Sequence, residues 1–254
     1  MNLRLENMTI LVTGASRGLG FAVARALSSE GARVILCSRN ETRLRKAVDQ
    51  LGDSASYIVA DVSRAADIQM MVRHVRDSIG VLDGLFVNTG GPPTGKFLGL
   101  SDDDWRSSFE LTVMSAVRLT HECLPLLTKS RSSSILYNTS ISIKEPIENL
   151  ILSNSLRLSI IGLMKSLVNE LGPDGPRVNA VCPGYFRTER IEEVLASSSE
   201  KDESLGRLER NIPLRRIGDP AEFGAFCAFI MSPVASYIHG AVLVIDGGLY
   251  RGMS

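Results

Sequence analysis

A glycine-punctuated turn near the N-terminus constrains this chain more than any other feature. It joins a short apolar run, residues 10–12, to a segment whose apolar residues recur at helical spacing. Gly14 can adopt the backbone angles of a tight strand-to-helix turn, Gly18 allows the main chain to approach a pyrophosphate, and Gly20 allows the helix to pack against the strand. Because a helix N-terminus offers free N–H groups and a positive dipole end, the turn predicts a phosphate-binding site.

The residues after the turn support this interpretation. Glycine-rich turns are common, so the pattern indicates a ligand site only between a strand and a helix. Here the predicted helix ends at Gly31, and a second apolar strand, residues 33–37, closes a βαβ unit of the length that a dinucleotide half-site needs. An ordinary turn without a ligand is the alternative.

Strand and helix patterns alternate along nearly the whole chain. Further strands are predicted at residues 55–60, 82–87, 134–137, 177–182 and 241–245, with helices between them. A chain of 254 residues with 44% hydrophobic content is long enough to bury one large core. The sequence therefore predicts a single α/β domain over residues 1–254, a doubly wound Rossmann fold with a seven-stranded, mostly parallel sheet and helices on both faces.

Charge and cysteine usage exclude several classes of function. The formal net charge is zero and no basic run stands out, so we expect a small-molecule substrate rather than nucleic acid or a membrane surface. We find no N-terminal apolar signal and expect no apolar stretch long enough to span a bilayer, which predicts a cytoplasmic protein. The four cysteines are scattered without a CxxC pair, so we expect free thiols and no metal site.

Residues 189–212 are rich in Glu, Ser, Lys and Arg and have few apolar anchors. This composition suits a segment that covers a binding site. A solvated helical face is the alternative reading of the same composition.

Several motifs, in order and over essentially the whole chain, resemble the short-chain dehydrogenase/reductase family. Residues 13–20 resemble its glycine signature, Asp61 and Val62 its adenine-contacting pair, residues 88–91 its turn after the fourth strand, and residues 183–188 its nicotinamide-side loop. The resemblance implies an NAD(P)-dependent oxidoreductase that transfers hydride between a nicotinamide cofactor and a carbonyl or secondary alcohol, of the 3-oxoacyl-reductase or sugar/alcohol-dehydrogenase kind.

The resemblance also implies which residues bind the cofactor. They lie in the glycine turn, at the strand ends and on the nicotinamide side. They are Gly14, Ser16, Arg17, Gly18, Leu19, Gly20, Ser38, Arg39, Asp61, Val62, Asn88, Gly90, Arg157, Pro183, Gly184 and Thr188.

The end of the second strand favours NADP(H) over NAD(H). Family members that bind NAD usually carry an acid there, which accepts hydrogen bonds from the ribose 2′-hydroxyl. This chain has Ser38 instead, followed by Arg39, and Arg17 lies in the glycine turn. Two guanidinium groups can reach a 2′-phosphate, which an acid would repel. The alternative is that both arginines face solvent.

The catalytic residues depart from the family pattern. The family uses a Ser, a Tyr-x-x-x-Lys pair and an Asn. Ser140 matches the Ser, whereas Ser153, Arg157 and Thr112 stand at the Tyr, Lys and Asn positions. A serine hydroxyl is a far weaker acid than a phenol, and an arginine does not titrate near neutral pH. Arg157 can still donate hydrogen bonds to ribose hydroxyls.

Other residues can supply the missing proton. Tyr185 carries a phenol just after the nicotinamide-side loop begins, and Ser142 and Lys144 follow Ser140; Tyr137 is expected to pack in the core. We therefore assign Ser140, Ser153, Arg157 and Tyr185 as candidate catalytic residues. The second hypothesis is a catalytically silent NADP-binding sensor or assembly module. The resemblance further suggests a homotetramer, or a homodimer, that pairs through the long helices.

Overall fold

Seven strands form one parallel sheet in the part of the chain that this computed structural model describes, residues 1–189, 191 and 201–253. The strands are β1 Thr9–Thr13, β2 Arg33–Ser38, β3 Ala55–Val59, β4 Gly84–Val87, β5 Ser134–Asn138, β6 Arg177–Pro183 and β7 Val242–Ile245. Their order across the sheet is β3-β2-β1-β4-β5-β6-β7, and every pair of neighbours is parallel. The predicted doubly wound sheet is confirmed.

Helices cover both faces of the sheet, as predicted. Within the described residues the α-helices are α1 Gly18–Ser29, α2 Glu41–Leu51, α3 Ala65–Ser78, α4 Asp102–Phe109, α5 Ser115–Leu127, α6 Ile151–Leu171, α7 Lys201–Asn211 and α8 Pro220–Met231. One hydrophobic cluster packs α3, α5 and α6 on the sheet, and a second packs α1, α2 and α8 on the opposite face. Both arise because parallel strands are joined by crossover helices.

The packing of β1 explains why its three central residues are all apolar. Successive side chains of a strand point to opposite faces. Leu11 belongs to the cluster under α3, α5 and α6, whereas Ile10 and Val12 belong to the other cluster. All five residues of β1 are buried, and its three central residues form an unbroken apolar run rather than an alternating pattern.

The order of the strands places the functional site. The chain winds from β1 outward through β2 to β3, then returns to the other side of β1 and continues through β4 to β7. At such a reversal the connections after neighbouring strands leave in opposite directions, which opens a crevice at the carboxyl ends of the strands. The glycine turn follows β1 and therefore lies at this crevice.

Three details differ from the sequence expectations. Strand β4 begins at Gly84 rather than at residue 82. The helical region predicted between β4 and β5 contains a π-helical turn, Glu110–Met114, between α4 and α5. Of the predicted covering segment 189–212, residues 190 and 192–200 lie outside the described residues, and most of the remainder is helix α7.

Helix α6 is long and mostly apolar, although Arg157 and Lys165 interrupt its apolar sequence. Among the described residues, one helical segment, Ile151–Asp174, is long and apolar enough by length and composition, with a mean hydropathy of 1.3 over its most apolar window. In the fold, its residues Ile160 and Met164 are buried in the cluster with α3 and α5. The apolar character of this helix is thus used, at least on one face, for packing against the sheet.

Candidate functional site

A cleft of about 670 Å³ lies at the carboxyl edge of the sheet. That volume is within the range of pockets that bind small molecules and cofactors. The described lining residues come from the glycine turn, the ends of β2 to β6 and the start of α6. Those not anticipated as site residues from the sequence include Asn40, Arg43, Leu111, Asn138, Leu150, Phe186 and Glu189.

The glycine turn has the geometry that the sequence predicts. Gly14 and Gly18 have φ angles of +58° and +59°, in the left-handed region that favours glycine. A Cβ on Gly20 would collide with the carbonyl oxygen of Gly14, so Gly20 allows α1 to start close to β1. Arg17, the residue before α1, makes no side-chain cap. The first N–H groups of the helix therefore have no capping side chain and open toward the cleft.

Asn88 ties the glycine turn to β4. Its Nδ2 donates to the carbonyl oxygen of Gly14 at 3.1 Å, and its backbone N–H donates to Thr13 Oγ1 at 2.9 Å. A Cβ on Gly14 would come within 2.6 Å of the same Nδ2 atom. The turn and the end of β4 are therefore in direct contact, and no side chain larger than hydrogen fits between them.

Asn138 and Arg157 extend this contact to β5 and α6. Asn138 Nδ2 donates to Asn88 Oδ1 at 2.8 Å. Arg157 Nη1 donates to the carbonyl oxygens of Asn138 at 3.1 Å and Thr139 at 3.2 Å, and only 8% of Arg157 is exposed. Arg157 thus places a buried positive charge at the end of β5 while it satisfies two main-chain acceptors.

The end of β2 carries hydroxyl and guanidinium groups. Ser38 Oγ lies 3.0 Å from Ser16 Oγ, so β2 and the glycine turn share a hydrogen bond here. Arg39, 71% exposed at its side chain, lies 3.7 Å from Asp61. Arg43 also lines the cleft, one turn further along the chain on α2. Arg43 was not identified from the sequence, although its place in the first turn of the helix that follows Ser38 and Arg39 could have indicated it.

Asp61 is held in its charged form at the end of β3. Its partial burial by itself raises the carboxyl pKa, but hydrogen bonds from the hydroxyl and backbone N–H of Ser63 and the charges of Arg39 and Arg64 lower the pKa overall. Asp61 therefore serves as a fixed acceptor at the rim of the cleft rather than as a titrating group near neutral pH.

Three serines meet at the other end of the cleft. Ser140 and Ser153 line it. The buried Ser142 contacts both, because its backbone N–H donates to Ser140 Oγ at 3.1 Å and its Oγ lies 3.1 Å from Ser153 Oγ. Since Ser140 Oγ accepts this hydrogen bond, its own hydrogen can be donated to a group in the cleft. Thr112 lies on the π-helical turn and does not belong to the described lining.

The structure does not bring Tyr185 into the site. Tyr185 is absent from the described residues that line the cleft, and burial raises the pKa of its phenol, the opposite of what an activated acid needs. Lys144 also lies outside that lining, with its Nζ 5.9 Å from the centre of the Tyr250 ring. Tyr137 is buried, with its hydroxyl 2.6 Å from Thr120 Oγ1, as a packing residue should be.

The other predicted site residues converge on the cleft, with one exception. Gly20 does not line it and acts through packing, which is the role predicted for it from the sequence. The fifteen other cofactor candidates, with Ser140 and Ser153, all line the same cleft. Gly184 is also constrained by packing, since a Cβ there would come within 2.6 Å of Asp246 Cβ.

Comparisons with known proteins agree with this geometry. Residues 14–250 match a family model described as enoyl-(acyl carrier protein) reductase. Oxidoreductase UcpA of Salmonella typhimurium is 34% identical over 253 residues, which covers 96% of this chain and 95% of that protein. This chain belongs to the short-chain dehydrogenase/reductase family. It is thus an NAD(P)-dependent oxidoreductase by family.

Solved structures of the same fold extend the comparison. L-Sorbose reductase from Gluconobacter frateurii, complexed with NADPH and L-sorbose, superposes with a TM-score of 0.94 at 27% identity, and the match covers 100% of both chains. A short-chain oxidoreductase from Pseudomonas aeruginosa PAO1, described as containing an atypical catalytic center, superposes with a TM-score of 0.90 at 26% identity, covering 96% of this chain and 98% of the other.

The residues present fit a nicotinamide dinucleotide. The glycine turn leaves space that a Cβ would fill, an uncapped helix N-terminus opens toward the cleft, and arginines stand where β2 ends. Gly14, Gly18 and the start of α1 would hold the pyrophosphate. Asp61 and Val62 would contact the adenine, and Pro183, Gly184 and Thr188 would lie on the nicotinamide side.

We expect Gly20→Ala to weaken cofactor binding by at least about tenfold, because the added methyl group would push the start of α1 away from Gly14. Fluorescence titration with NADPH measures the dissociation constant. Gly162→Ala is the matched control, since a Cβ there meets no atom within 4 Å. Equal affinities of the two variants would contradict the role of Gly20.

Proposed function

We propose that this oxidoreductase transfers hydride between NADP(H) and a carbonyl compound or secondary alcohol, at a catalytic centre in which Ser153 and Arg157 stand in place of the family's Tyr and Lys. The observation that carries the proposal is the single cleft that joins arginines at one end to Ser140, Ser153 and Arg157 at the other. The nicotinamide, when bound, supplies or accepts the hydride. The residues of this chain bind the cofactor, orient the substrate and polarise its carbonyl group.

The end of β2 supports NADP(H) over NAD(H). Ser38 provides a hydroxyl where a carboxylate would repel a 2′-phosphate, and its Oγ lies 3.0 Å from Ser16 Oγ in the glycine turn. Arg17, Arg39 and Arg43 all line the cleft. Guanidinium groups form the strong, charge-assisted hydrogen bonds that phosphate oxygens accept. The similar L-sorbose reductase is described with NADPH, which is consistent with this preference.

Ser140 is the residue best placed to orient the substrate oxygen. Its Oγ lone pair accepts the N–H of Ser142, so its hydrogen is directed away from that bond. A hydroxyl donor of this kind stabilises the negative charge that develops on a carbonyl oxygen as hydride arrives. The positive charge of Arg157 adds to this stabilisation, because only 8% of the residue is exposed and solvent screens a buried charge less than an exposed one.

We propose that water in the cleft supplies the proton. The serine hydroxyls are too weakly acidic to act as general acids near neutral pH, and the Arg157 guanidinium stays protonated. Tyr185 is not among the lining residues. In carbonyl reduction, the hydride bonds to the carbonyl carbon and the resulting alkoxide takes a proton from water, which leaves hydroxide to be neutralised by the buffer.

The substrate class is a carbonyl compound of the sugar or 3-oxoacyl kind. The similarity to L-sorbose reductase supports a polyol or sugar, and the description of the matching family model supports an acyl chain. Leu111 and Leu150 give the cleft an apolar side beside Ser140 and Ser153, which suits a substrate with both polar and apolar parts.

An oligomer forms part of the proposal, a homotetramer or a homodimer. Helix α6 supports it, because only 28% of its most apolar window is buried within the single chain and Leu158 on that helix is 54% exposed. A second copy would cover this apolar surface. We also propose a cytoplasmic location, supported by four free, buried cysteines.

Arg43→Ala should weaken NADPH binding by about tenfold or more and leave NADH binding unchanged, since it removes a charge-assisted donor to the 2′-phosphate. Fluorescence titrations with both cofactors give the ratio of dissociation constants. Arg45→Ala is the matched control, because Arg45 is on the same helix, pairs with Glu41 at 2.7 Å and does not line the cleft. Equal loss of affinity for both cofactors would contradict the NADP preference.

Ser140→Ala should lower kcat on the order of 10²-fold without changing the affinity for NADPH, because one donor to the developing oxyanion is lost. NADPH oxidation is followed over a panel of ketones, sugars and 3-oxoacyl thioesters. Tyr185→Phe should retain the wild-type rate, and Ser153→Ala should retain measurable turnover. Cofactor binding without turnover on any substrate would favour the silent NADP-binding module instead.

Light scattering should give a molar mass of two or four times the 27.6 kDa of one chain. Leu158→Asp should shift the protein toward smaller species, because a charge on the exposed face of α6 opposes its burial by a second copy. Met70→Asp, at a 49% exposed position on α3, is the control. A monomeric wild-type protein would refute this part of the proposal.

A further inference from the structure

An ion pair crosses the rim of the cleft between two loops that are far apart in sequence. Arg17 Nη1 lies 2.7 Å from Glu189 Oε2, and the two residues are 172 positions apart. The same two loops face each other at Gly18, where a Cβ would lie 3.7 Å from Thr188 Cγ2. Both partners of the pair line the cleft.

Arg17 therefore has two possible anionic partners. In the proposed function it is one of the cations that a 2′-phosphate would contact, yet in this structure its Nη1 atom donates to Glu189. Phosphate recognition by arginine is strongest when both ends of the planar guanidinium fork are available. A 2′-phosphate can use the full fork only if Glu189 gives up its hydrogen bond.

Arg39, another arginine of the cleft lining with a carboxylate partner, is less firmly engaged. Arg39 lies 3.7 Å from Asp61, whereas the Arg17–Glu189 distance of 2.7 Å is that of a charge-assisted hydrogen bond. The side chains of Arg17 and Glu189 are 36% and 60% exposed, so solvent weakens their pair and a doubly charged phosphate can displace the carboxylate.

We propose that Glu189 determines cofactor specificity by competing with the 2′-phosphate for Arg17, which weakens NADPH binding but not NADH binding. NADH has a hydroxyl in place of that phosphate and leaves the ion pair intact. Glu189 therefore narrows the preference for NADPH that Ser38 and the arginines create. This inference rests on the proposed function, because it requires Arg17 to contact the 2′-phosphate.

Glu189→Gln tests the inference, since it keeps the shape of the side chain and removes its charge. We expect NADPH to bind about two- to fivefold more tightly, the range that an exposed ion pair allows. NADH affinity should stay unchanged. Fluorescence titrations with NADPH and NADH are run on the full chain at fixed ionic strength, so no substrate or turnover is needed.

Two further variants make the test specific. In an Arg17→Gln background, Glu189→Gln should have no effect on NADPH affinity, because the competition has already been removed. Glu148→Gln is the matched control, since Glu148 is an exposed glutamate that lies 3.9 Å from Lys96 and is outside the described lining of the cleft.

Unchanged or weaker NADPH binding by Glu189→Gln would overturn the inference. Equal tightening of NADPH and NADH would also overturn it, because that result indicates general repulsion of the dinucleotide rather than competition for Arg17. Failure of the wild-type protein to bind either cofactor would instead overturn the proposed function, and this inference with it. If only the Glu189→Gln variant fails to bind, its thermal unfolding is compared with that of the wild type. This comparison shows whether the loss of binding comes from misfolding.

Discussion

A chain of partly buried hydrogen bonds across the carboxyl edge of the sheet fixes the geometry of the whole cleft. Asn88 joins the carbonyl oxygen of Gly14 to Asn138, and Arg157 joins the carbonyl oxygen of Asn138 to helix α6. Each bond connects a different element, so the glycine turn, β4, β5 and α6 hold one another in register. Because unpaired polar groups are costly in a buried environment, removing one member leaves its neighbours unsatisfied. The cofactor end and the reacting end of the cleft are therefore one structural unit.

Arg157 explains how this framework persists where the family has a lysine. A guanidinium presents several donors in one plane, and here one nitrogen reaches the carbonyl oxygens of both Asn138 and Thr139. An ammonium would offer a compact charge that can lose its proton when buried, whereas the guanidinium keeps its charge at every accessible pH. The substitution thus preserves positive charge and main-chain anchoring while it removes a titrating group. Any pH dependence of turnover must then come from other groups, from the substrate or from water.

The sequence predicted the parts of this protein that depend on local patterns. Gly14 and Gly18 were assigned from the strand and helix around them, because positive φ angles and a strand-to-helix turn are properties of a few neighbouring residues. The contact between Asn88 and Asn138 was not predicted, since the two residues are 50 positions apart and meet only when β4 pairs with β5. Tyr185 was misplaced for a related reason. Beyond a strand end, nothing in the sequence fixes the side of the loop to which a side chain points.

The arginines of the cleft are held in two different ways, by exposed carboxylates or by buried main-chain carbonyl oxygens. The arginines near the end of β2 and in the glycine turn face carboxylates, Arg39 with Asp61 and Arg17 with Glu189, and these pairs are partly exposed. Exposed ion pairs are weak, so an incoming anion can replace a carboxylate at little cost, and selectivity depends on the difference between the two partners. Arg157 is buried and donates to main-chain carbonyl oxygens, which an incoming anion cannot displace. A charge held in this way does not select between anions. In the proposed function it would set a constant potential near the oxygen that gains negative charge, which is the preorganised stabilisation that hydride transfer requires.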